Sequence, residues 1–457
     1  MTEEISSSVE FDAADAKRVL IPLDILFVLS ILSLQAFGYI FQQIGADLGA
    51  VAEAPLISSI PSIVLGIVCF IYGSLSDYVS LKKMTIAGMA LFFAGSVLGF
   101  FLHGNIWLVI FARCLQTAGG QVAGSIYLAI TSRYLKGAEQ VTFFGIFTAS
   151  YQLSTAIGVV SSGLFSAVDW SLLFLVPLVG VLAVPTLLRG MPETDAGETK
   201  VDVAGFVIFG VMITLLTLYF SFGWMYLVGA AVALAVFVAY IHRAAEPFIT
   251  PAFFRNARWL RAIALMVVFY FVNYSVTSLF NGACATVYGL SSSESSLYLV
   301  AGNIASCVVA CCSGKIVSRI GRDASIFVSG AAQVAGFTLA ALCIAAGVVP
   351  FAFGICLYFA GVGLLFSPLS TTILGTLSAD EVGRGIGMND LAMNVSASIG
   401  IAIFGSIMGT TRLSDASVIG LAAETATYSN LLFIYAGIML LGVLAFAAFR
   451  KRIAAAA

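Results

Sequence analysis

Charged residues, histidine and paired cysteines are all scarce in this sequence. Only 10% of its 457 residues are Asp, Glu, Lys or Arg, against roughly 25% in an average soluble domain. A water-soluble fold of this size needs a polar surface, and these residues are too few to form one. Two histidines and eight cysteines without a CxxC pair argue against a metal centre or a disulfide framework. No nucleotide-binding loop or nucleophile–base pattern is present, so the sequence does not indicate an enzyme.

Long uncharged runs occupy most of the chain. A helix needs about 20 apolar residues to cross the hydrocarbon core of a bilayer. The run 203–241 as a single helix would measure about 58 Å, so we expect it to fold back at residues 221–223. The run 324–379 is likewise expected to break near Gly347 and Pro350. With the other runs, this predicts an all-α polytopic membrane protein with fourteen spans. The other runs are 25–46, 54–76, 84–102, 105–129 (with one charge, Arg113), 141–164, 170–188, 262–288, 295–314, 385–410 (with one charge, Asp390) and 425–449.

The distribution of basic residues predicts the orientation of these spans. If the N-terminus is cytoplasmic, nineteen of the 21 Lys and Arg residues fall in cytoplasmic segments, as the positive-inside rule requires. We therefore expect both termini in the cytoplasm of a cell-membrane protein. The predicted organisation is a cytoplasmic tail (1–18), a six-helix half (19–190), a linker (191–202), an inserted helix hairpin (203–243), a basic linker (244–261), a second six-helix half (262–450) and a tail (451–457).

Two loops in the predicted halves resemble each other. Residues 73–83 read GSLSDYVSLKK, and residues 314–322 read GKIVSRIGR. Both follow the pattern Gly-x-(Leu/Ile)-x-x-x-x-(Gly/Ser), with basic residues close by at a predicted cytoplasmic turn. Any tight loop between two helices favours Gly and cytoplasmic Lys or Arg, but the shared spacing favours an internal repeat. Such repeats are how many secondary transporters build two halves around a central site.

The first loop resembles the Gly-x-Leu-x-Asp-Arg-x-Gly-Arg-Lys signature of the major facilitator superfamily. Residues 113–120, RCLQTAGG, are similar to that family's Arg-x-x-Gln-Gly-x-Gly motif, and residues 158–163, GVVSSG, resemble the exporter signature of its fourteen-span drug:proton antiporter branch. Over nearly the whole chain the sequence is similar to the tetracycline:proton antiporters. The resemblance implies the major facilitator fold, with two six-helix halves and an inserted two-helix hairpin. It also implies efflux of amphipathic organic compounds by alternating access, coupled to protons, and thus a role in antibiotic resistance.

Three features depart from that branch. Its members usually carry an acid in the middle of span 1, where this sequence has LQAFGY at 34–39. Val159 replaces the proline of the exporter signature, and no glutamate lies in the middle of span 13. These departures leave a proton-independent facilitator or exchanger for a specific small metabolite as the alternative function.

Polar side chains at membrane depth are the candidate substrate and coupling residues. Arg113 is the one basic residue deep inside a span, and such residues normally face a cavity or a partner. The alternative is a packing role, with its guanidinium on backbone carbonyls. Asp390 is the best candidate for a protonatable group, because an unpaired carboxylate is costly in hydrocarbon; alternatively it lies in a hydrated cytoplasmic mouth. The other candidates, each of which could instead be a helix–helix contact, are Gln116, Asn394, Gln35, Tyr39, Tyr151, Gln152 and Asn273.

A second set of residues is predicted to act in gating. The implied fold places Asp77 beside the start of span 13, where the helix N-terminus favours a carboxylate and Arg384 is a plausible partner. This pair would join the halves on the cytoplasmic face when the protein opens outward. The other gating candidates are Gly73, Lys82, Lys83, Arg319 and Arg322, together with Gly158 and Gly163, which permit close helix approach.

The expected partners follow from the same reasoning. They are the lipid bilayer, a small amphipathic substrate and protons, with no nucleic acid. No cofactor or metal is expected, because the proton gradient would supply the energy. A monomer would suffice.

Overall fold

The computed structural model describes residues 12–75, 79–135, 137–191, 202–244, 247, 251, 255–377, 382–408, 413 and 417–454. Within these residues, all regular secondary structure is helical. The elements are α1 (Ala13–Asp47), α2 (Leu56–Leu75), α3 (Leu81–Phe101), α4 (Ile106–Tyr134), α5 (Gly137–Ser166), α6 (Trp170–Gly190), α7 (Val203–Phe222), α8 (Trp224–Ile241), α9 (Ala257–Tyr288), α10 (Ser292–Ile320), α11 (Arg322–Cys343), α12 (Val348–Leu374), α13 (Val382–Met408) and α14 (Ala423–Ala454).

Two of these elements are not continuous α-helices. In α6, two 3₁₀ segments, Trp170–Phe174 and Val176–Ala183, precede a short α-helix. Pro177 near the start of the second segment and Pro185 near the start of that helix lack the backbone N–H that a continuous helix would use. In α9, Ala257–Tyr270 and Asn273–Tyr288 are separate helical segments. The break in α9 lies at the middle of the bundle, beside the cavity described below.

Thirteen of the helices, all except α5, are long and apolar enough in the described residues to cross a membrane. The remaining helix, α5, is 30 residues long and packs between α1 and α10.

The predicted breaks are also observed. Gly223, with φ +101°, separates α7 from α8, and Gly347, with φ +121°, precedes α12. Both φ angles are in the region that favours glycine. The chain is a multi-pass membrane protein with the predicted fourteen-helix organisation.

The first helix begins earlier than the hydropathy pattern indicates. Its start is at Ala13, inside the predicted tail, and Asp12 caps it by accepting hydrogen bonds from the backbone N–H groups of Ala14 (2.7 Å) and Asp15 (2.9 Å). Helix formation depends on capping and on backbone hydrogen bonds, not on apolar side chains. A helix can therefore begin with a charged turn that precedes the apolar run. Asp24 therefore lies well inside α1 and accepts a hydrogen bond from Ser150 of α5 at 2.6 Å.

Helix packing divides the bundle into two halves, α1–α6 and α9–α14. Across the seam between them, α2 packs on α13, α5 on α10 and α1 on α9. The helices α7 and α8 pair with each other, and α7 contacts both α2 and α13. The hairpin thus lies against the side of the bundle, at the seam. The predicted arrangement of two six-helix halves with an inserted hairpin is confirmed.

Candidate functional site

A cavity of about 130 Å³ lies between the two halves, near the middle of the helices. Helices α1, α2, α4 and α5 line it from the first half, and α9, α12 and α13 line it from the second. Cavities with mainly apolar walls and a few placed polar groups are typical binding sites for organic molecules. The aromatic residues of its wall are Phe27, Phe147, Tyr151, Tyr270, Tyr274, Phe359 and Phe366.

Asp390 of α13 supplies the only charged side chain among the described residues that line this cavity. No described lysine or arginine forms an ion pair with it; the ion pairs found, Lys17–Glu139 and Arg18–Asp15, lie near the start of α1. A carboxylate in apolar surroundings is costly unless it is paired. A proton or a cationic ligand at Asp390 would offset that cost.

Two hydrogen-bonded groups of side chains lie beside Asp390, one in each half. In the first half, Gln35 of α1 donates to the hydroxyl of Tyr151 in α5 at 3.5 Å. Tyr274 donates to Asn394 Oδ1 at 2.5 Å, and Asn394 Nδ2 donates to the backbone carbonyl of Asp390 at 2.8 Å. The four side chains and Asp390 all line the cavity. A ligand in the cavity would therefore contact polar groups of both halves.

Two further predicted residues also line the cavity. Gln152 of α5 donates to Ser306 Oγ of α10 at 2.5 Å, a contact between the halves. Asn273, at the start of the second segment of α9, accepts from the Tyr358 hydroxyl at 3.3 Å. The cavity thus gathers six of the nine predicted substrate and coupling residues. These are Gln35, Tyr151, Gln152, Asn273, Asp390 and Asn394.

Arg113 and Gln116 lie elsewhere, inside the first half. The Arg113 side chain is buried, donates to Ser33 Oγ at 2.9 Å and to Gln116 Oε1, and stacks over the Phe37 ring at 4.4 Å. Gln116 Nε2 in turn donates to Ser96 Oγ at 2.9 Å. These contacts hold α1, α3 and α4 together, and none of the five residues lines the cavity. A direct role of Arg113 or Gln116 in transport stays a prediction.

Tyr39 joins the halves instead of lining the cavity. Its hydroxyl lies 2.7 Å from Ser295 Oγ in α10, and its carbonyl accepts from Asn281 of α9 at 3.2 Å. Ser278 of α9 donates to the carbonyl of Gly38 at 2.7 Å. All of these groups lie towards the end of the bundle where α1 ends and α10 begins. The halves are therefore closed against each other at that end.

The two glycines predicted to act in gating pack differently. Gly163 of α5 lies against Ser293 and Ser296 of α10, so it belongs to the seam between the halves. Gly158 lies against the carbonyl of Leu32 in α1, within the first half.

The remaining gating candidates lie at the opposite end of the bundle. Gly73 is near the end of α2, Lys82 and Lys83 begin α3, and Arg319 and Arg322 are exposed where α10 meets α11. Asp77 lies outside the described residues, and so does the side chain of Arg384. The predicted Asp77–Arg384 contact therefore stays a prediction.

Sequence reasoning named Tyr151 but missed the other six aromatic residues of the cavity wall, above all Tyr274. The sequence contains 36 phenylalanines and 16 tyrosines, most of which any membrane helix could bury or expose to lipid. One signal was available: Tyr274 follows Asn273 within a span, and neighbouring polar groups at membrane depth are unusual.

Comparison with known proteins identifies the family. The model of the Major Facilitator Superfamily matches residues 23–401. The chain belongs to this superfamily. It is 24% identical over 387 residues to the multidrug transporter protein MdtP of Bacillus subtilis (strain 168), covering 81% of this chain and 71% of the relative. It is 25% identical over 377 residues to the multidrug resistance protein Stp of Mycobacterium tuberculosis (strain CDC 1551 / Oshkosh), covering 79% and 70%.

Solved structures share the fold at low sequence identity. A POT family transporter in complex with 5-aminolevulinic acid superposes with a TM-score of 0.70 at 14% identity, covering 96% of both chains. The human organic anion transporter MFSD10 (TETRAN) gives a TM-score of 0.62 at 12% identity, covering 94% of this chain and 99% of that one. These similarities show the fold alone. As a member of this superfamily, the chain is a membrane transporter and not an enzyme.

Proposed function

We propose that this transporter exports amphipathic organic compounds by alternating access, in exchange for protons. The observation that carries the proposal is Asp390, a carboxyl group in an aromatic cavity at the seam of the two halves that no lysine or arginine of the described residues pairs with. The names of MdtP and Stp, which are multidrug proteins, support efflux of drug-type compounds.

The chemistry of the cavity favours a flat, amphipathic molecule with a positive charge. Aromatic faces attract cations as well as apolar groups, and Asp390 is the only charged side chain of the described lining. Tetracycline-like molecules, which are flat and carry an amine, are one class of candidate substrate. Because a proton and a cationic group would compete for one carboxylate, binding of one would release the other.

The size of the cavity indicates that the halves must separate before a substrate binds. Sites for drug-sized molecules usually measure about 300–1,000 Å³, well above the 130 Å³ present between the halves here. With the predicted N-in orientation, the end closed by Tyr39 and Ser295 faces outward. We infer that substrate enters from the cytoplasm when the other end widens, and that an external proton displaces it from Asp390 once the outer end opens.

One observation favours the alternative of a proton-independent facilitator. Gln35, and not an acid, occupies the region of α1 that lines the cavity, so the first half contributes no carboxyl group to the described lining. Exchange without protons would then depend on hydrogen bonds from Gln35, Tyr151 and Asn394.

Purified protein in liposomes with an acidic lumen and a trapped pH indicator would test both functions. We expect that external tetraphenylphosphonium or tetracycline, added separately, raises the lumenal pH as protons leave in exchange. Asp390→Asn should abolish this proton movement and weaken uptake of the labelled cationic probe, because the amide keeps the shape of the side chain but binds neither the proton nor the positive charge of the probe.

Glu424→Gln is the matched control, because it makes the same chemical change at an exposed position in the first turn of α14. Probe movement without any change in lumenal pH in the wild type would exclude antiport and favour the facilitator. Normal proton movement in Asp390→Asn would show that another group carries the proton.

A further inference from the structure

A second cavity, of about 720 Å³, opens at the end of the second half that carries the basic loops. It is bounded by the start of α9, the junction of α10 with α11, and the ends of α12 and α14. Its lining shares no residue with that of the central cavity. A site here would therefore be separate from the transport pathway proposed above.

Three arginines, Arg258, Arg322 and Arg450, line this cavity against one acid, Asp323. The formal charge of the lining is therefore positive. None of the three arginines forms an ion pair with a carboxylate of the described residues. Guanidinium groups gathered at a cavity without carboxylate partners favour an anion, and their planar donor geometry matches a phosphate group.

The local structure holds these donors in place. Arg258 Nε donates to the carbonyl of Ile453 at 3.2 Å, which ties the start of α9 to the end of α14. The Arg450 guanidinium lies over the Phe327 ring, 5.5 Å from its centroid. Arg322 is the first residue of α11, a 22-residue helix. The backbone N–H groups at such a helix start favour an anion independently of the side chains.

Apolar side chains form the rest of the wall. Phe327, Phe446, Ile320 and Ile453 line the cavity beside the arginines. A free inorganic anion gains nothing from such a wall, whereas an amphiphile can place its charged group on the arginines and its apolar part on the phenylalanines. The position at one end of a membrane-spanning bundle also matches the level at which lipid headgroups lie.

We propose that this cavity binds a phosphate group, carried by the headgroup of an anionic membrane phospholipid. A net positive lining whose arginines form no ion pair within the described residues, a helix N-terminus and an adjoining apolar wall together select that chemistry. The inference does not depend on which compound the protein transports.

Binding can be measured on the full-length protein purified in a mild neutral detergent, by native mass spectrometry. The probes are short-chain phosphatidylglycerol, phosphatidylcholine of the same chain length, and inorganic phosphate as a competitor. We expect phosphatidylglycerol to bind more tightly than phosphatidylcholine and to resist millimolar phosphate. The double variant Arg322→Gln/Arg450→Gln should bind phosphatidylglycerol at least roughly tenfold more weakly, because it loses two charge-assisted contacts.

Lys451→Gln/Arg452→Gln is the matched control, since it removes the same charge from exposed residues next to the cavity that do not line it. Arg322→Lys/Arg450→Lys, which keeps the charge, should bind phosphatidylglycerol with intermediate affinity. That result would show that misfolding does not explain the weak binding of the glutamine variant. Displacement of phosphatidylglycerol by millimolar phosphate would support a phosphate-binding site but overturn the assignment to a lipid, because a soluble anion would then suffice. Equal weakening in the two glutamine double variants, or equal binding of the two lipids, would overturn the proposal.

Discussion

Gly163→Ala is expected to open the end of the transporter that the structure shows closed. Gly163 is buried on α5 at the seam with α10. A Cβ there would lie 2.7 Å from Ser296 Oγ and 2.9 Å from Ser293 Cα, while ordinary van der Waals contact begins at 3.4 Å. The Ser296 hydroxyl can rotate away, but the Ser293 contact involves backbone. The two helices must therefore separate by about 0.5 Å to restore an ordinary contact. We expect only the state closed at this end to carry this cost, because alternating access would part α5 from α10 in the other state.

The size of the effect follows from the cost of overpacking. Inserting one methyl group into a tight contact costs about 1–3 kcal/mol, which corresponds to a shift of roughly 5- to 150-fold in an equilibrium between two states. The ratio of the state open at this end to the closed state should rise by that factor, because the contact would be lost when α5 and α10 separate.

Gly158→Ala is the matched control on the same helix. Its Cβ would lie 2.6 Å from the carbonyl of Leu32 in α1, a worse steric conflict, but one inside the first half. The cost should then fall on both states alike. Gly158→Ala is therefore expected to lower stability without favouring either state.

A cysteine at Thr277, which lines the central cavity, reports the opening in a background without the eight native cysteines. The rate of its reaction with a membrane-impermeant maleimide, added on the side of the Tyr39–Ser295 contact, should rise at least fivefold with Gly163→Ala and stay unchanged with Gly158→Ala. Equal rates in all three proteins would refute the reasoning, and so would an equal rise in both glycine variants.

Two further substitutions test the polar contacts. Tyr274→Phe removes the donor to Asn394 (2.5 Å) and should weaken probe binding up to roughly tenfold, as loss of one hydrogen bond does. A titration of probe fluorescence on the purified protein measures the affinity. Unchanged affinity would count against a role of Tyr274 at the site. Arg113→Ala removes the hydrogen bonds to Ser33 and Gln116. Each bond from a charged donor contributes about 1.5–3 kcal/mol to the free energy of unfolding, so the thermal unfolding temperature should fall. An unchanged unfolding temperature with lost transport would instead support a direct role of Arg113.

Predictions from the sequence succeeded wherever one local property decides the outcome. A long uncharged run must become a helix, because a bilayer leaves no other partner for backbone groups. Runs too long for one crossing must fold back, and the glycines at 223 and 347 supply the backbone conformation for it. The start of α1 was missed because hydropathy does not decide it. The helix begins where Asp12 caps it.

Placement of the polar residues could not be decided in this way. Arg113 and Asp390 give the same signal in the sequence, one charge inside an apolar span. The structure buries Arg113 against Ser33, 80 positions earlier in the chain, and places Asp390 in the cavity between the halves. Which way each residue points depends on how its helix rotates against its neighbours, and hydropathy along a single helix does not specify that rotation.

The sequence by itself determined the number of helices, because span length and hydropathy act locally along the chain. Its loop and span motifs resemble those of the superfamily, and that resemblance implied the hairpin between two six-helix halves. Only the tertiary structure decided that Asp390, Tyr274 and Asn394 share one cavity, that Tyr39 closes one end of the seam, and that three arginines from α9, α11 and α14 meet at a second cavity. Each of these sites joins residues from different helices, and packing between helices brings such residues together.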